Sequence, residues 1–206
     1  MYLGWVNLFD YILGNTKSPR ETIEKGIELA QKALTMDDSI GVAHALMGEL
    51  YAYTREYDKA IAEAERGVAL NPGGMTCVRS YGLCLCYAGR PEEAIPVFQK
   101  AIRISPSFHW SYVTLGMALR MTGRFEEAVS AYKKAIQLEP NNIFTHVQLA
   151  ATYSLMGREK EAHAEAAEVL RINPKFSLDN YAKTVTFKDQ SETDKFVNAI
   201  RKVGLK

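Results

Sequence analysis

The sequence has few residues of the kinds that carry metal or disulfide chemistry. It contains three cysteines among 206 residues, Cys77, Cys84 and Cys86, which are too few, too close together and odd in number for a disulfide framework. Its four histidines neither pair at the spacing of metal ligands nor lie beside the cysteines in the sequence. We therefore expect no metal and no cofactor, and we interpret the cysteines as core residues.

The chain also lacks an excess of charge and long apolar runs. Its formal net charge is +1 and its pI is about 7.7, which gives no electrostatic reason to expect nucleic acid or an anionic membrane as the partner. No stretch reaches the roughly 18 to 20 apolar residues of a membrane span, so no direct membrane insertion is expected. The opening MYLGWVNLFDYILGN is apolar but lacks an early Lys or Arg and carries Asn7 and Asp10, so no export signal is predicted.

Signatures of catalysis are missing as well. The sequence contains no nucleophile motif, Gly-rich phosphate loop, HExxH or paired-carboxylate signature. Since catalysis needs convergent polar groups of this kind, we expect that the chain is not an enzyme.

What the sequence does contain is an internal repeat of 34 residues. Prolines recur at this interval at positions 72, 106, 140 and 174, and glycines recur at positions 89, 123 and 157. The surrounding text repeats with them, as in YAGRPEEAIPVFQKAIRISP and MTGRFEEAVSAYKKAIQLEP. A fixed period of this length is the signature of a repeat architecture.

Each unit is predicted to be a helical hairpin. Apolar residues follow helical spacing twice within a unit, interrupted by Gly-Arg and ended by a dipeptide with proline. The glycine can adopt the left-handed conformation that ends the first helix, and the acidic residues after it favour the positive end of the second. Proline then stops the second helix or opens the next one.

The units resemble tetratricopeptide repeats, whose small residues, large apolar residue, alanine and terminal proline are met slot by slot. The resemblance implies an all-α fold, a right-handed superhelical solenoid of helix-turn-helix repeats with a C-terminal capping helix. We expect a single domain over residues 1–206. Its parts are a degenerate repeat at about 1–40, clear repeats at 41–74, 75–108, 109–142 and 143–176, and a cap at 177–206.

The two ends depart from the period. In the degenerate repeat, a first helix is predicted at Trp5, Leu8 and Ile12, and a second at Ile27, Ala30, Ala33 and Leu34. Phe9 fills the slot that is glycine elsewhere and Gly26 fills the alanine slot, which we interpret as a compensating swap of size. In the cap, SLDNYAKTVTFKD is predicted to form a short helix and a turn. Ser191 is then the predicted helix cap before an apolar stripe formed by Phe196, Val197, Ile200 and Val203.

Three segments suggest a narrower resemblance. YAGRPEEAIPVFQKAIRISP, FHWSYVTLGMALRMTGRFEEA and the ending from INPKFSLDNYAKTVTFKDQ onward are similar to the C-terminal repeats of bacterial class III adenylate or guanylate cyclase-like proteins. The resemblance implies that a catalytic domain precedes the repeats and that this chain is a fragment of a signalling protein. Unpaired cysteines favour the cytoplasm, whereas a membrane-anchored parent would place the repeats in the periplasm.

The family pattern also implies a binding groove. In such arrays the second, fifth, ninth, twelfth and thirteenth residues of each unit face the concave side. In this sequence they include Glu49, Tyr53, Arg79, Leu83, Tyr87, Trp110, Val113, Met117, Arg120, Met121, Phe144, Val147 and Leu155. An apolar, aromatic groove with two arginines suits a protein or peptide that has large apolar side chains and an acidic group. The alternative is that Trp110 and Phe144 pack between repeats and that Met117 and Met121 fill the core.

Three functions follow as hypotheses. The first is a protein-interaction scaffold that binds a peptide or protein in the groove. The second is a self-association module, a homodimer formed through the N-terminal repeat that carries Trp5. The third is a regulatory tail of an attached nucleotide cyclase.

Overall fold

The computed structural model describes residues 18–206, which form eleven α-helices and no β-strand. The predicted all-α fold is confirmed. In chain order the helices are α1 (Pro19–Met36), α2 (Gly41–Tyr53), α3 (Tyr57–Leu70), α4 (Met75–Tyr87), α5 (Pro91–Ile104), α6 (His109–Met121), α7 (Phe125–Leu138), α8 (Ile143–Leu155), α9 (Glu159–Ile172), α10 (Leu178–Ala182) and α11 (Gln190–Lys202).

Eight of these helices stack as four hairpins. The pairs α2–α3, α4–α5, α6–α7 and α8–α9 pack within themselves, and the first helix of each pair also contacts the first helix of the next. The first helices begin at residues 41, 75, 109 and 143, the interval at which the sequence repeats. The result is a solenoid in which the first helices share one side.

Small residues in the first helices make room for large ones in the second. A Cβ atom on Gly82 in α4 would lie 2.6 Å from the ring of Phe98 in α5, and a Cβ on Gly116 in α6 would lie 2.6 Å from the ring of Tyr132 in α7. Both rings are completely buried. In each hairpin, therefore, an aromatic ring fills the space that a side chain at the glycine would take.

The turns inside the hairpins use the left-handed backbone that the sequence predicts. Gly89 has a φ of +80° after α4. The matching position in the preceding hairpin is Arg55, which adopts a φ of +65° without the freedom of glycine. The three cysteines are buried and free, as expected of core residues, and burial raises the pKa of each thiol.

The described part of the N-terminal repeat is its second helix. α1 contains Ile27, Ala30, Ala33 and Leu34, and it packs against α2. A Cβ on Gly26 would lie 2.9 Å from the side chain of Leu50, so the small residue in this slot allows close packing. The helix predicted around Trp5 and the role of Phe9 lie outside the described residues.

The C-terminal tail forms a short helix, a non-helical stretch and a longer helix. The prediction that Ser191 caps the last helix is wrong, because α11 begins at Gln190 and the cap is Asp189, whose carboxylate accepts the Ser191 N–H at 2.8 Å. Carboxylates cap helices at least as well as hydroxyls. Of the predicted apolar stripe, Phe196 and Ile200 are buried in the helix, Val203 is buried just after its end, and Val197 is partly buried.

Candidate binding groove

The first helices of the four hairpins, α2, α4, α6 and α8, line one side of the solenoid, and we call their shared surface the inner groove. Of the thirteen residues predicted for the groove, nine are buried, three are partly buried and one is exposed. The buried ones are Glu49, Tyr53, Arg79, Leu83, Tyr87, Val113, Met117, Arg120 and Val147, the partly buried ones are Trp110, Met121 and Phe144, and the exposed one is Leu155.

The chain's own tail contributes to this burial. Residues 183–189, between α10 and α11, leave α10 through a turn and then run without helical structure past the C-terminal ends of α2 and α4, and we call them the crossing segment. Within it, the four consecutive residues from Thr184 to Phe187 are all buried. Successive side chains of a non-helical chain point in different directions, so burial of all four requires cover on more than one side.

Main-chain hydrogen bonds hold the crossing segment. Tyr57 at the start of α3 donates its hydroxyl to the carbonyl of Thr186 at 2.8 Å, and the Thr186 hydroxyl donates to the carbonyl of Ala52 at 3.3 Å. The Lys188 N–H donates to the carbonyl of Tyr87 at 2.9 Å. Burial raises the pKa of Tyr57, so its hydroxyl stays protonated and remains a donor.

An aromatic contact anchors the same segment. The ring of Phe187 lies 5.1 Å from that of Tyr87, and Tyr87 in turn makes an edge contact with Tyr53 at 5.1 Å. One predicted groove residue, Tyr87, therefore packs directly against Phe187, and a second, Tyr53, packs against Tyr87. Aromatic pairs at this separation contribute about 0.5 to 1.5 kcal/mol beyond the burial of their area.

The helices that flank the crossing segment cover the far end of the groove. Tyr181 of α10 contacts Phe144 of α8 with ring centroids 5.7 Å apart, and α11 packs along α8. Phe196 of α11 lies over the guanidinium of Arg120, 4.6 Å from it. The Leu178 N–H donates to the carbonyl of Lys206 at 2.7 Å, which joins α10 to the residues that follow α11.

The two predicted groove arginines have different surroundings. The Nη2 of Arg79 donates to the Oε1 of Glu49 at 2.6 Å, and Ser80 also donates to that carboxylate. Both charged side chains are buried. Arg79 thus already holds a carboxylate within the chain, so the predicted role for it in binding a partner's acidic group has lost its main support.

Arg120 is buried without such a partner. Its Nε and Nη2 have almost no solvent contact, and no residue in the part of the chain that the structure describes accepts a hydrogen bond from either. The acidic group expected of a partner now depends on this residue alone.

The alternative interpretation of the aromatic residues also has support. Trp110 of α6 and Phe144 of α8 lie with ring centroids 5.5 Å apart, so they pack between neighbouring repeats, and Met117 is buried. Binding of a partner by the thirteen groove residues stays a prediction.

The course of the crossing segment does not follow from the sequence pattern. The predicted short helix and turn of SLDNYAKTVTFKD are present, with the helix ending at Ala182, but the residues after the turn contact the C-terminal ends of α2 and α4. The available signal was local, because Thr184, Val185 and Thr186 are three β-branched residues in a row, which favour extended backbone over helix.

The fold and groove together define an all-α helical-repeat solenoid, and comparison with known families agrees. Two tetratricopeptide repeat models match residues 74–139 and 119–184, together more than half of the chain. The chain belongs to the tetratricopeptide repeat family. No curated protein sequence matches it significantly, so the narrower resemblance to cyclase-like proteins stays a prediction.

Solved structures resemble this fold at low sequence identity. TTC0263, a thermophilic TPR protein in Thermus thermophilus, has a TM-score of 0.71 at 20% identity over 95% of this chain and 99% of its own. PilW, a type IV pilus biogenesis factor, has a TM-score of 0.69 at 19% identity over 96% and 90%. YrrB, a TPR protein with an unusual peptide-binding site, has a TM-score of 0.56 at 22% identity over 80% and 86%. At such identities the likeness shows the fold alone.

Among residues 18–206, no helix combines the length and the apolar character needed to cross a bilayer.

Proposed function

We propose that this protein is a non-catalytic scaffold that binds an extended segment of a partner protein in the inner groove. The crossing segment occupies that site when no partner is bound. The observation that carries the proposal is the way this segment is held, by main-chain hydrogen bonds from Tyr57 and to Tyr87 and by the ring of Phe187.

This mode of contact suits recognition of a peptide. Hydrogen bonds to the main chain of an extended segment give affinity that depends little on its sequence, and pockets for particular side chains add specificity. Phe187 is such a side chain, because buried aromatic anchors dominate the energy of interfaces. Peptide binding by a protein of similar fold, YrrB, is consistent with this use of the groove.

The crossing segment also sets a threshold for binding. A tethered segment competes at an effective concentration of about millimolar. A partner must therefore bind more tightly than the crossing segment does, or bind under conditions that weaken the contacts of the crossing segment. The scaffold's place in a longer bacterial signalling protein, as a cyclase's regulatory tail, and its location in the cytoplasm remain predictions from the sequence.

The test supplies the crossing segment as a separate peptide. The probe is an acetylated, amidated and fluorescently labelled peptide with the sequence of residues 183–190, KTVTFKDQ. The receptor is the full chain with Phe187→Ala, which removes the aromatic anchor of the tethered copy. We expect saturable binding by fluorescence anisotropy with a Kd on the order of 10 µM, and much weaker binding to the unchanged chain.

Two controls make the result interpretable. Phe125→Ala removes a half-buried phenylalanine from α7, outside the groove, and should leave binding as weak as in the unchanged chain. A scrambled peptide tests sequence dependence. Hydrogen exchange at Lys188 reports whether the tethered segment has opened, with Phe187→Asp as a stronger opening variant. An opened, fully helical chain that fails to bind the peptide would contradict the proposed function.

A further inference from the structure

Arg120 in α6 has the donor nitrogens that bind a carboxylate, but no described residue supplies one. Its side chain is 3% exposed, and its Nε and Nη2 find no acceptor among the residues that the structure describes. A charged donor that is buried without an acceptor is unfavourable, so a native chain that keeps one calls for an explanation.

The same two nitrogens bind carboxylates elsewhere in this chain. In Arg90, Nε and Nη2 each donate to one oxygen of Glu93 at 2.7 Å. In Arg124 they bind Glu127 in the same way, also at 2.7 Å. This two-bond fork is the strongest arrangement between an arginine and a carboxylate. In Arg120 the fork is buried and receives no acceptor from residues 18–206.

The tail covers this fork without satisfying it. Phe196 of α11 lies over the guanidinium and offers its ring face, which attracts a cation but accepts no conventional hydrogen bond. α11 follows directly after the crossing segment, so a partner that displaces the crossing segment also loosens the cover over Arg120.

The acidic residues at the start of α11 are engaged elsewhere. Asp189 caps the helix, and Glu192 pairs with Lys195 at 2.7 Å. Asp194 accepts a hydrogen bond from Gln190 at 3.0 Å. In the closed arrangement, therefore, these three acids of the tail do not serve the empty fork.

We propose that Arg120 is the carboxylate-binding residue of the inner groove and that the partner segment carries an aspartate or glutamate together with an aromatic residue. The aromatic side chain replaces Phe187 against Tyr87, and the carboxylate takes the Nε and Nη2 of Arg120 once Phe196 has moved away. This inference rests on the proposed function and adds the charge of the partner to it.

The experiment scans the probe peptide for a favourable acid. Each residue of KTVTFKDQ except the phenylalanine is replaced in turn by glutamate and, in a matched peptide, by glutamine. Binding is measured to the full chain with Phe187→Ala, and again with Phe187→Ala/Phe196→Ala, which removes the ring over Arg120. We expect at least one glutamate peptide to bind about tenfold more tightly than its glutamine counterpart.

Variants of Arg120 then test the origin of that gain. Arg120→Met should bring the ratio between glutamate and glutamine peptides to about one, while helicity and binding of the parent peptide persist. Arg120→Lys keeps the charge without the fork and should retain only part of the gain.

The outcomes separate the two proposals. A parent peptide that binds, with glutamate and glutamine equivalent at every position or with a gain that survives Arg120→Met, would overturn the role of Arg120 alone. A parent peptide that does not bind to the opened chain would overturn the proposed function, and the role of Arg120 with it.

Discussion

The two halves of the inner groove each contain a buried arginine, and they differ in whether a described residue supplies a carboxylate partner for it. In the half formed by α2 and α4, Arg79 is buried against the carboxylate of Glu49. In the half formed by α6 and α8, Arg120 is equally buried, but its Nε and Nη2 find no acceptor among residues 18–206, and the ring of Phe196 lies against its guanidinium. Burial of a groove arginine therefore does not by itself reveal its role. A structural arginine is paired with a carboxylate of the same chain, whereas a candidate ligand-binding arginine lacks that counter-charge.

The largest change in stability is expected from breaking the ion pair between Arg79 and Glu49 in the half formed by α2 and α4. Arg79→Met leaves the carboxylate of Glu49 buried without a counter-charge, and the free energy of unfolding should fall by about 3 kcal/mol. Urea denaturation followed by circular dichroism measures this change. The double variant Glu49→Leu/Arg79→Met is the control and should recover most of the loss. A single variant that loses less than about 1 kcal/mol would mean that water, not Arg79, stabilises this carboxylate.

The same substitution in the other half should have the opposite sign. Arg120→Met removes a buried charge that no carboxylate of residues 18–206 pairs with, and it should raise the free energy of unfolding by about 1 to 2 kcal/mol. The same denaturation experiment applies. A loss as large as that of Arg79→Met would show that Arg120 is paired in solution and would remove the contrast between the halves.

A smaller loss of stability is expected from removing a hydrogen bond between the crossing segment and the hairpin α2–α3. Tyr57→Phe removes the hydroxyl that donates to Thr186, and stability should fall by about 1 kcal/mol. Hydrogen exchange should become faster at Lys188 and stay unchanged in α6. The matched control is Tyr112→Phe, which removes an exposed hydrogen bond to Pro106 outside the groove. Equal exchange at Lys188 in both variants would contradict the assigned role of Tyr57.

A third buried cation has a charge that depends on pH. His146 in α8 places Nδ1 2.6 Å from the carboxylate of Glu165 and Nε2 2.9 Å from the carbonyl of Pro140. A neutral imidazole has one N–H, so both bonds form together only when the ring is protonated. Burial by itself would lower the pKa of His146, but the bonds to Glu165 and Pro140 outweigh it and the pKa is raised.

The smallest effect is therefore expected from titrating this histidine, since a neutral ring keeps one of its two bonds. A raised pKa in the folded state means that the stabilisation is complete below about pH 6.5, the ordinary value, and is lost as the pH rises through the folded pKa. Unfolding free energies measured between about pH 5.5 and 8.5 should fall with pH, and His146→Gln should flatten the curve. A stability that rises over this range, or a slope that His146→Gln leaves unchanged, would contradict this assignment.

The sequence predicted the parts of the molecule that depend on neighbours along the chain. The helices from Gly41 onward follow from apolar spacing and from turns such as the one at Gly89, which act within one repeat. The state of the groove depends on distant pairs. Glu49 and Arg79 are 30 residues apart, and Ala52 and Thr186 are 134 apart. No periodicity encodes such pairs, so the sequence placed both arginines in one class and missed the tail that covers the groove.

The crossing segment also changes how such a chain is expected to fold. In an ordinary solenoid each repeat contacts only its neighbours, so repeats can fold one after another. Here Thr186 is hydrogen-bonded to Ala52 and Tyr57 in the hairpin α2–α3, which ties distant parts of the stack together. Contacts between residues so far apart in the sequence close long loops, so they are expected to couple separate repeats into one cooperative transition. During synthesis the repeats emerge first, and the groove stands open until the crossing segment arrives to close it.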